Sequence, residues 1–187
     1  MPESIDTNWW LEGLGAAGPD SSLREELMLF GQFVGDWEIA ESRTLEENGR
    51  WSNQTGELHW RWILDGKAVQ DVWMYRDKGS GRLVPAGTTL RFYDSERLSW
   101  RSIWITPRHH DVGMFLGGKV GDEIVLELQD ESKHEGEGDL KWIFYDITRK
   151  SFRWRAEESA DGKTWIIKHE MRILRLEPKA TASGRVH

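Results

Sequence analysis

The feature that most constrains the fold of this chain is a run of short segments, between residues 36 and 175, in which apolar and polar residues alternate. A period of two is typical of β-strands, because successive side chains point to opposite faces of a sheet. Ten strands are predicted, at about 36–43, 54–64, 67–75, 87–94, 98–105, 113–119, 123–129, 140–147, 151–158 and 165–175. No helical pattern separates them, so the sequence predicts an all-β domain.

The connections between these segments contain the residues that tight hairpins need. Glycine beside Asn or Asp supplies the positive φ angles of such turns, at Asn48-Gly49, Asp65-Gly66, Gly121-Asp122 and Asp161-Gly162. An open ten-strand meander would expose two sheet edges, whereas closure removes them. We therefore predict a ten-stranded antiparallel up-and-down β-barrel.

A short helix is predicted directly before the first strand. Apolar residues recur at helical spacing over about 23–33, at Leu23, Leu27, Phe30 and Val34. Ser22 and Glu25 match a capping box at its start, and Gly35 ends it. The apolar face of this helix is expected to cover one end of the barrel.

The chain divides into three predicted parts: an N-terminal arm and linker at 1–21, the barrel domain at 22–176 and a flexible tail at 177–187. In the arm, Trp9-Trp10-Leu11 is interpreted as a local anchor that packs on the domain. A lid over a pocket is the alternative.

Composition limits the partners. Lys and Arg number 25 against 32 Asp and Glu, and the basic residues are dispersed, which argues against nucleic acid and anionic membranes. The lack of cysteine excludes disulfides, Cys-ligated metals and thiol nucleophiles. Without a signal-like N-terminus or a bilayer-length apolar run, a cytoplasmic, bacterial-type protein is expected. No cofactor is predicted, and a homodimer is left open.

Three features together resemble the calycin, or lipocalin-like, barrels. They are Gly35-Asp36-Trp37 opening the first strand after a short helix, the antiparallel meander, and an Arg on the last strand. In those folds the Trp packs across the barrel floor under that Arg. The resemblance implies Arg172 or Arg175 as the partner of Trp37, through a cation–π contact. With ten predicted strands and no signal peptide, the barrel resembles nitrobindin, the intracellular fatty-acid-binding proteins and uncharacterised bacterial lipocalin-like families.

Twelve Trp residues suggest that aromatic rings line the barrel interior. If Trp37 faces inward, the inward set is Ile39, Leu58, Trp60, Trp62, Val69, Asp71, Trp73, Leu90, Phe92, Leu98, Trp100, Ser102, Trp104, Ile124, Leu126, Leu128, Leu140, Trp142, Phe144, Asp146, Phe152, Trp154, Ala156, Trp165, Ile167, His169, Met171 and Ile173. The opposite alternation would instead give a charged cavity containing Glu57, His59, Gln70, Arg91 and Arg101. Across both alternatives, the candidate ligand-binding residues are Trp60, Trp62, Gln70, Asp71, Trp73, Arg91, Arg101, Trp104 and Trp154.

Three residues are candidates for catalysis: His59, Glu57 and His169. Glu57 and His59 share one face of a strand, about 7 Å apart, where either could exchange a proton with a ligand. A solvated outer face is the alternative. His169 stands alone among apolar residues; the resemblance to nitrobindin-like barrels implies an axial haem ligand, and a core or rim histidine with one hydrogen bond is the alternative.

Arg91 and Arg101 lie on strands joined by a four-residue turn. Facing inward, they would bind a carboxylate, as the resemblance to fatty-acid-binding proteins implies. Facing outward, they would pair with acidic neighbours. Three functions follow from the sequence: binding of a small apolar or aromatic molecule, a cofactor-independent enzyme (isomerase, cyclase, dehydratase or lyase) acting on a hydrophobic metabolite in the same cavity, or haem binding through His169.

Overall fold

The computed structural model describes residues 8–133 and 138–177, with side chains described from Leu11 onward. Within this part of the chain, ten antiparallel strands form a closed barrel. Each strand pairs with its neighbours in sequence, and the first pairs with the last. The predicted fold class, with a short helix near the N-terminus, is confirmed.

The predicted strands all occur, with bounds shifted by a few residues. The described part of the chain contains two helices and ten strands, in this order: α1 Asn8–Leu14, α2 Arg24–Gly31, β1 Gly35–Leu45, β2 Trp51–Ile63, β3 Ala68–Arg76, β4 Leu83–Asp94, β5 Ser99–Thr106, β6 Asp111–Val120, β7 Glu123–Leu128, β8 Asp139–Tyr145, β9 Ser151–Ser159 and β10 Ile166–Arg175. Single 3₁₀ turns lie at Ser21–Leu23 and Asp130–Ser132. Across 8–133 and 138–177, neither helix is long and apolar enough to cross a membrane.

The start of α2 differs from the prediction. The carboxylate of Asp20 accepts a hydrogen bond from the Ser22 backbone N–H at 2.8 Å and caps a 3₁₀ turn. The N-cap residue of α2 itself is Leu23, which makes no side-chain capping bond. The predicted capping box of Ser22 and Glu25 is therefore wrong, because Asp20 caps the turn that precedes the helix.

Helix α2 closes one end of the barrel, which we call the floor. Leu27, Phe30 and Phe33 are almost completely buried. The Phe30 ring lies 4.8 Å from Trp100 and 5.6 Å from Phe144, centroid to centroid and edge-on in both cases. Aromatic side chains thus fill this end, as the helical spacing predicted.

Trp37 and Arg175 join the last strand to the floor. The Arg175 guanidinium carbon lies 3.9 Å from the Trp37 ring centroid, and its N–H groups donate to the carbonyls of Gln32 and Val34 at 2.8 and 3.0 Å. Arg172 instead pairs with Glu41 on the outer surface. Of the two residues that the resemblance implied, Arg175 is therefore the partner of Trp37.

The N-terminal arm docks beside the floor. Gly15 bridges to Ile63, and the Ala16 N–H donates to the Trp62 carbonyl at 3.1 Å. The side chains of Trp9 and Trp10, predicted as an anchor or a lid, lie outside the described residues.

Strand β4 has the opposite orientation to the one expected. Leu90 and Phe92 were predicted inward, but Phe92 is 38% exposed whereas Arg91 is 3% exposed. The register explains this, because Thr89 lies opposite Asp71 and Arg91 lies opposite Ser102, and residues directly opposite share a face.

Four further inward predictions are wrong. Ile167 lies opposite Glu157, which lies opposite the outward Lys141, and a register shift in β10 separates Ile167 from the inward His169.

The other three residues lie at strand ends or in turns. Leu98 is 77% exposed, and both Leu98 and Asp146 have positive φ angles. Trp165 lies just before β10 with its ring 4.1 Å from the Lys141 Nζ. Lys141 alternates with the inward Trp142, so this contact is on the outer surface.

Candidate functional site

Within residues 8–133 and 138–177, the barrel end opposite α2 is open; we call it the mouth. A space of about 580 Å³ lies there. Its border includes Trp73, Trp104, Thr106, Arg108 and His169. It thus combines aromatic faces with a polar rim.

Below the mouth, five rings form a closed circuit that we call the aromatic collar: Trp73, Trp104, Trp142, Trp154 and His169. In this order the centroid distances are 6.0, 6.0, 5.7 and 5.1 Å, and His169 returns to Trp73 at 5.5 Å. Each distance lies in the range of favourable aromatic pairs. The collar residues come from β3, β5, β8, β9 and β10, so only barrel closure brings them together.

A smaller inner cavity of about 60 Å³ lies between the collar and the floor. Trp73 and Trp104 border both this cavity and the mouth. Since one water needs roughly 10–15 Å³ by this kind of measure, the inner cavity holds only a few atoms. It can take a ligand's substituent but not its ring system.

A buried ion pair forms one wall of the inner cavity. The Arg91 Nη1–H group donates to the Asp71 carboxylate, and both side chains are almost inaccessible to solvent. The guanidinium carbon lies 4.5 Å from the Trp60 ring centroid. Burial raises the pKa of Asp71, and the positive charge of Arg91 opposes that rise. The pair therefore brings polar groups into the cavity without net charge.

His169 is neutral in the collar. Its Nε2 lies 2.8 Å from the Ser42 hydroxyl, and burial lowers its pKa to about 4. Because Nε2 is engaged by Ser42 and the ring packs against Trp73 and Trp154, the arrangement does not fit an axial haem ligand. Its surroundings match the alternative, a rim histidine satisfied by a hydrogen bond.

The buried His169 should make stability depend on pH. Its pKa is about 4 in the folded protein, against about 6.5 in an unfolded chain. The unfolded state thus binds more protons between these values, so stability is lost as the pH falls from about 6.5 to about 4. Relative to His169→Phe, the wild type should lose on the order of 3 kcal/mol more across this window, since one pKa unit is about 1.4 kcal/mol.

Urea denaturation followed by circular dichroism at several pH values measures this difference. His109→Gln is the matched control, because His109 lies in an exposed turn and should leave the wild-type pH profile unchanged. Parallel profiles for the wild type and His169→Phe would show that His169 is protonated equally in both states.

Glu57 and His59 lie on the outer surface, because Leu58 between them faces inward. His59 Nδ1 lies 2.8 Å from Asp36, and its Nε2 lies 3.4 Å from Glu57. Arg76 pairs with Glu57 from the next strand. Of the three catalytic candidates, only His169 borders the mouth.

Several predicted ligand-binding residues also lie away from the inner cavity. Gln70 donates to Thr88 on the outer surface, and Arg101 pairs with Asp94. Arg101 therefore does not converge with Arg91. The Trp62 ring packs against Gly31 of α2, at the floor. The candidates that do border the inner cavity are Trp60, Asp71, Trp73, Arg91, Trp104 and Trp154.

Two site residues were missing from the sequence-based candidates. Trp142 was predicted to face inward but was not named as a ligand-binding candidate, although the high Trp content already indicated an aromatic interior. The sequence pattern did not indicate that Ser42 faces inward, because β1 contains an irregularity between Ile39 and Ser42. Such a bulge changes which residues face inward.

Comparisons with known proteins identify the fold. No protein-family model matches the chain, and no curated protein sequence matches it. The chain is similar in structure to Rv2717c from M. tuberculosis, with a TM-score of 0.58 and 12% identity over 85% of this chain and 99% of that one. It is also similar to the S-type phycobiliprotein lyase CPES from Guillardia theta, with a TM-score of 0.56 and 10% identity over 81% and 93% of the two chains. The chain thus shares with these two structures the fold alone, a closed ten-stranded antiparallel barrel, and its own interior is rich in aromatic residues.

Proposed function

We propose that this protein binds a small apolar or aromatic molecule at the open end of its barrel. The observation that carries the proposal is the aromatic collar between the mouth and the inner cavity. The mouth, at about 580 Å³, lies within the usual range of small-molecule sites, roughly 300–1,000 Å³.

The charge distribution favours an uncharged ligand. His169 is neutral near pH 7, since burial lowers its pKa to about 4, and the Asp71–Arg91 pair has no net charge. An apolar ring can therefore replace water at the collar without displacing a solvated ion. The lyase among the structural neighbours has the same fold at low identity, which is compatible with ligand binding.

The catalytic alternative stays a prediction. Of its three candidate residues, His169 alone borders the mouth, where it can meet a ligand. Since Glu57 and His59 face outward, an enzyme of this kind would depend on His169 with Ser42.

Trp104→Ala should weaken ligand binding. The neutral probe N-phenyl-1-naphthylamine is expected to bind the wild type saturably, with enhanced fluorescence. The variant should bind it about tenfold more weakly, because the alanine removes the indole ring that would pack against one face of the probe. Fluorescence titration measures both. Trp51→Ala is the control, since Trp51 is 40% exposed and packs under Arg43 on the outer surface.

The control should bind as the wild type does. A non-saturable titration of the wild type, or equal losses in the two variants, would remove the collar as a binding site for this probe.

A further inference from the structure

We propose that two copies of this protein form a two-fold symmetric dimer through the outward-facing side chains of β3, β4, β5 and β6. We call this surface the outer apolar face and define it by six residues: Val72, Leu90, Ile103, Ile105, Val112 and Met114. The inference concerns the outside of the barrel, so it does not rest on the proposed binding function.

The alternation of side chains along these four strands places the six residues outside. Each strand contributes a buried residue to the interior: Asp71 on β3, Arg91 on β4, Ser102 on β5 and Phe115 on β6. Successive side chains of a strand point to opposite faces, so the residues directly before and after each of these face outward. The same alternation applies to the next outward position along β5 and β6.

The strand register arranges the outer apolar face in two neighbouring rows. In the first row, Ile103 lies between Leu90 and Met114. In the second row, Ile105 lies opposite Val112. Side chains on directly opposite residues of one sheet face are in reach of each other, so the six residues form one continuous apolar surface.

Two polar residues complete these rows, and both already have partners. Gln70 lies opposite Leu90, and Thr88 lies opposite Ile105. The Gln70 side-chain amide donates to the Thr88 hydroxyl at 2.9 Å, and that hydroxyl donates to the Asp71 carbonyl at 2.6 Å. On these four strands, the two rows therefore contain no charged residue.

The far side of the barrel differs in kind. There the outward residues of β1 and β10 form ion pairs, Arg43 with Glu170 and Arg172 with Glu41. On the outer apolar face, in contrast, Val112 is 56% exposed. Of the two described helices, α2 fills the floor and α1 lies beside it, so neither covers this face. An exposed apolar surface with a polar border is typical of an interaction site.

The size of the face suits the centre of a dimer interface. Four strands about 4.8 Å apart, each contributing about five residues of 3.4 Å, cover roughly 300 Å². One side of a standard interface buries about 800 Å², with an apolar core inside a polar rim. The outer apolar face has the dimensions of such a core, and the neighbouring pair of Arg101 and Asp94 lies where the rim would be.

The lack of charge favours a second copy of this chain as the partner. In a two-fold dimer the same face occurs on both sides, so a charged residue near the axis would meet its own copy. Ile103, at the centre of the first row, creates no such conflict. The net charge of −7 makes two copies repel each other, and the uncharged face is where that repulsion is weakest. A basic partner would instead be attracted to acidic surfaces.

Sedimentation velocity of the full chain measures the oligomeric state. At about 50 μM, where a dimer with a micromolar Kd is mostly formed, the wild type should have the mass of two 21.8 kDa chains. Ile103→Lys and Ile103→Glu should each be monomeric, because like charges meet at the axis. When the two variants are mixed, they should associate at least about tenfold more tightly than either does alone, since opposite charges then face each other.

Thr55→Lys is the matched control. Thr55 is exposed next to the inward Gly56 of β2, so the same charge is added outside the outer apolar face, and this variant should remain dimeric. Val112→Lys and Val112→Glu form a second pair of variants at a more exposed position. They replace the Ile103 pair if circular dichroism shows that the latter does not fold.

Three results would overturn the inference. The first is a wild type that stays monomeric, as it would if another part of this chain or a different protein covered the face. The second is dimerisation of the charged variants as strong as that of the wild type, which would place the contact elsewhere. The third is a failure of monomeric Lys and Glu variants to associate when mixed, because the face would then not pack on its own copy.

Discussion

Replacing Arg91 alone by Met is expected to lower the free energy of unfolding by about 3–5 kcal/mol, because the partner charge stays buried and uncompensated. Asp71 is almost inaccessible in the folded barrel, and burial already raises its pKa. Without the guanidinium, this carboxyl group must either remain charged in an apolar site or take up a proton. Denaturation by urea, followed by circular dichroism near pH 7, measures the loss.

The double variant Asp71→Asn with Arg91→Met should recover most of that stability, since replacing a buried ion pair as a whole is often nearly neutral. The two substitutions are therefore expected to be strongly non-additive. Arg101→Met is the matched control, because Arg101 lies on the next strand with its pair on the outer surface, and its loss should be much smaller. This account would be contradicted if the double variant lost as much free energy of unfolding as the two single variants lose together.

Phe30→Ala is expected to lower the free energy of unfolding by about 3–5 kcal/mol, the usual cost of removing a buried aromatic ring and leaving a cavity. The Phe30 ring is completely buried at the floor, and its centroid lies 4.8 Å from that of Trp100. Arg91 also stacks on it, with the guanidinium carbon 5.2 Å from the ring centroid. Urea denaturation gives the measurement.

Met28→Ala serves as the control, because Met28 lies on the same helix but is half-exposed. It should change stability by less than about 1 kcal/mol. Similar losses in both variants would mean that the substitutions act on the helix itself, and the floor would not depend on the packing of Phe30.

Much of the fold could be predicted because its signals are local. Alternation of apolar residues and Gly-containing turns predicted ten antiparallel strands, and closure followed from the cost of open edges. Apolar spacing around Phe30 predicted the helix at the floor. The partner of Trp37 came from resemblance, and the structure identifies it as Arg175.

The orientation of β4 could not be predicted from local pattern. The alternating pattern predicts that the apolar Leu90 and Phe92 face inward and that the charged Arg91 between them faces outward. Only pairing with β3 places Asp71 beside Arg91 and makes burial of the charge tolerable. The inward orientation of Ser42 could not be predicted either, because a strand irregularity changes which of the residues that follow it face inward.

The sequence by itself determined the class of fold and the abundance of aromatic rings inside it, since alternation and turn chemistry act between near neighbours in the chain. Tertiary structure alone decided which side chains meet. Trp73 and His169 pack together because the pairing of β1 with β10 closes the barrel and brings β10 within two strands of β3. Arg91 lies inside because a carboxylate from another strand neutralises it. Such contacts depend on long-range register, which leaves no local pattern in a single sequence.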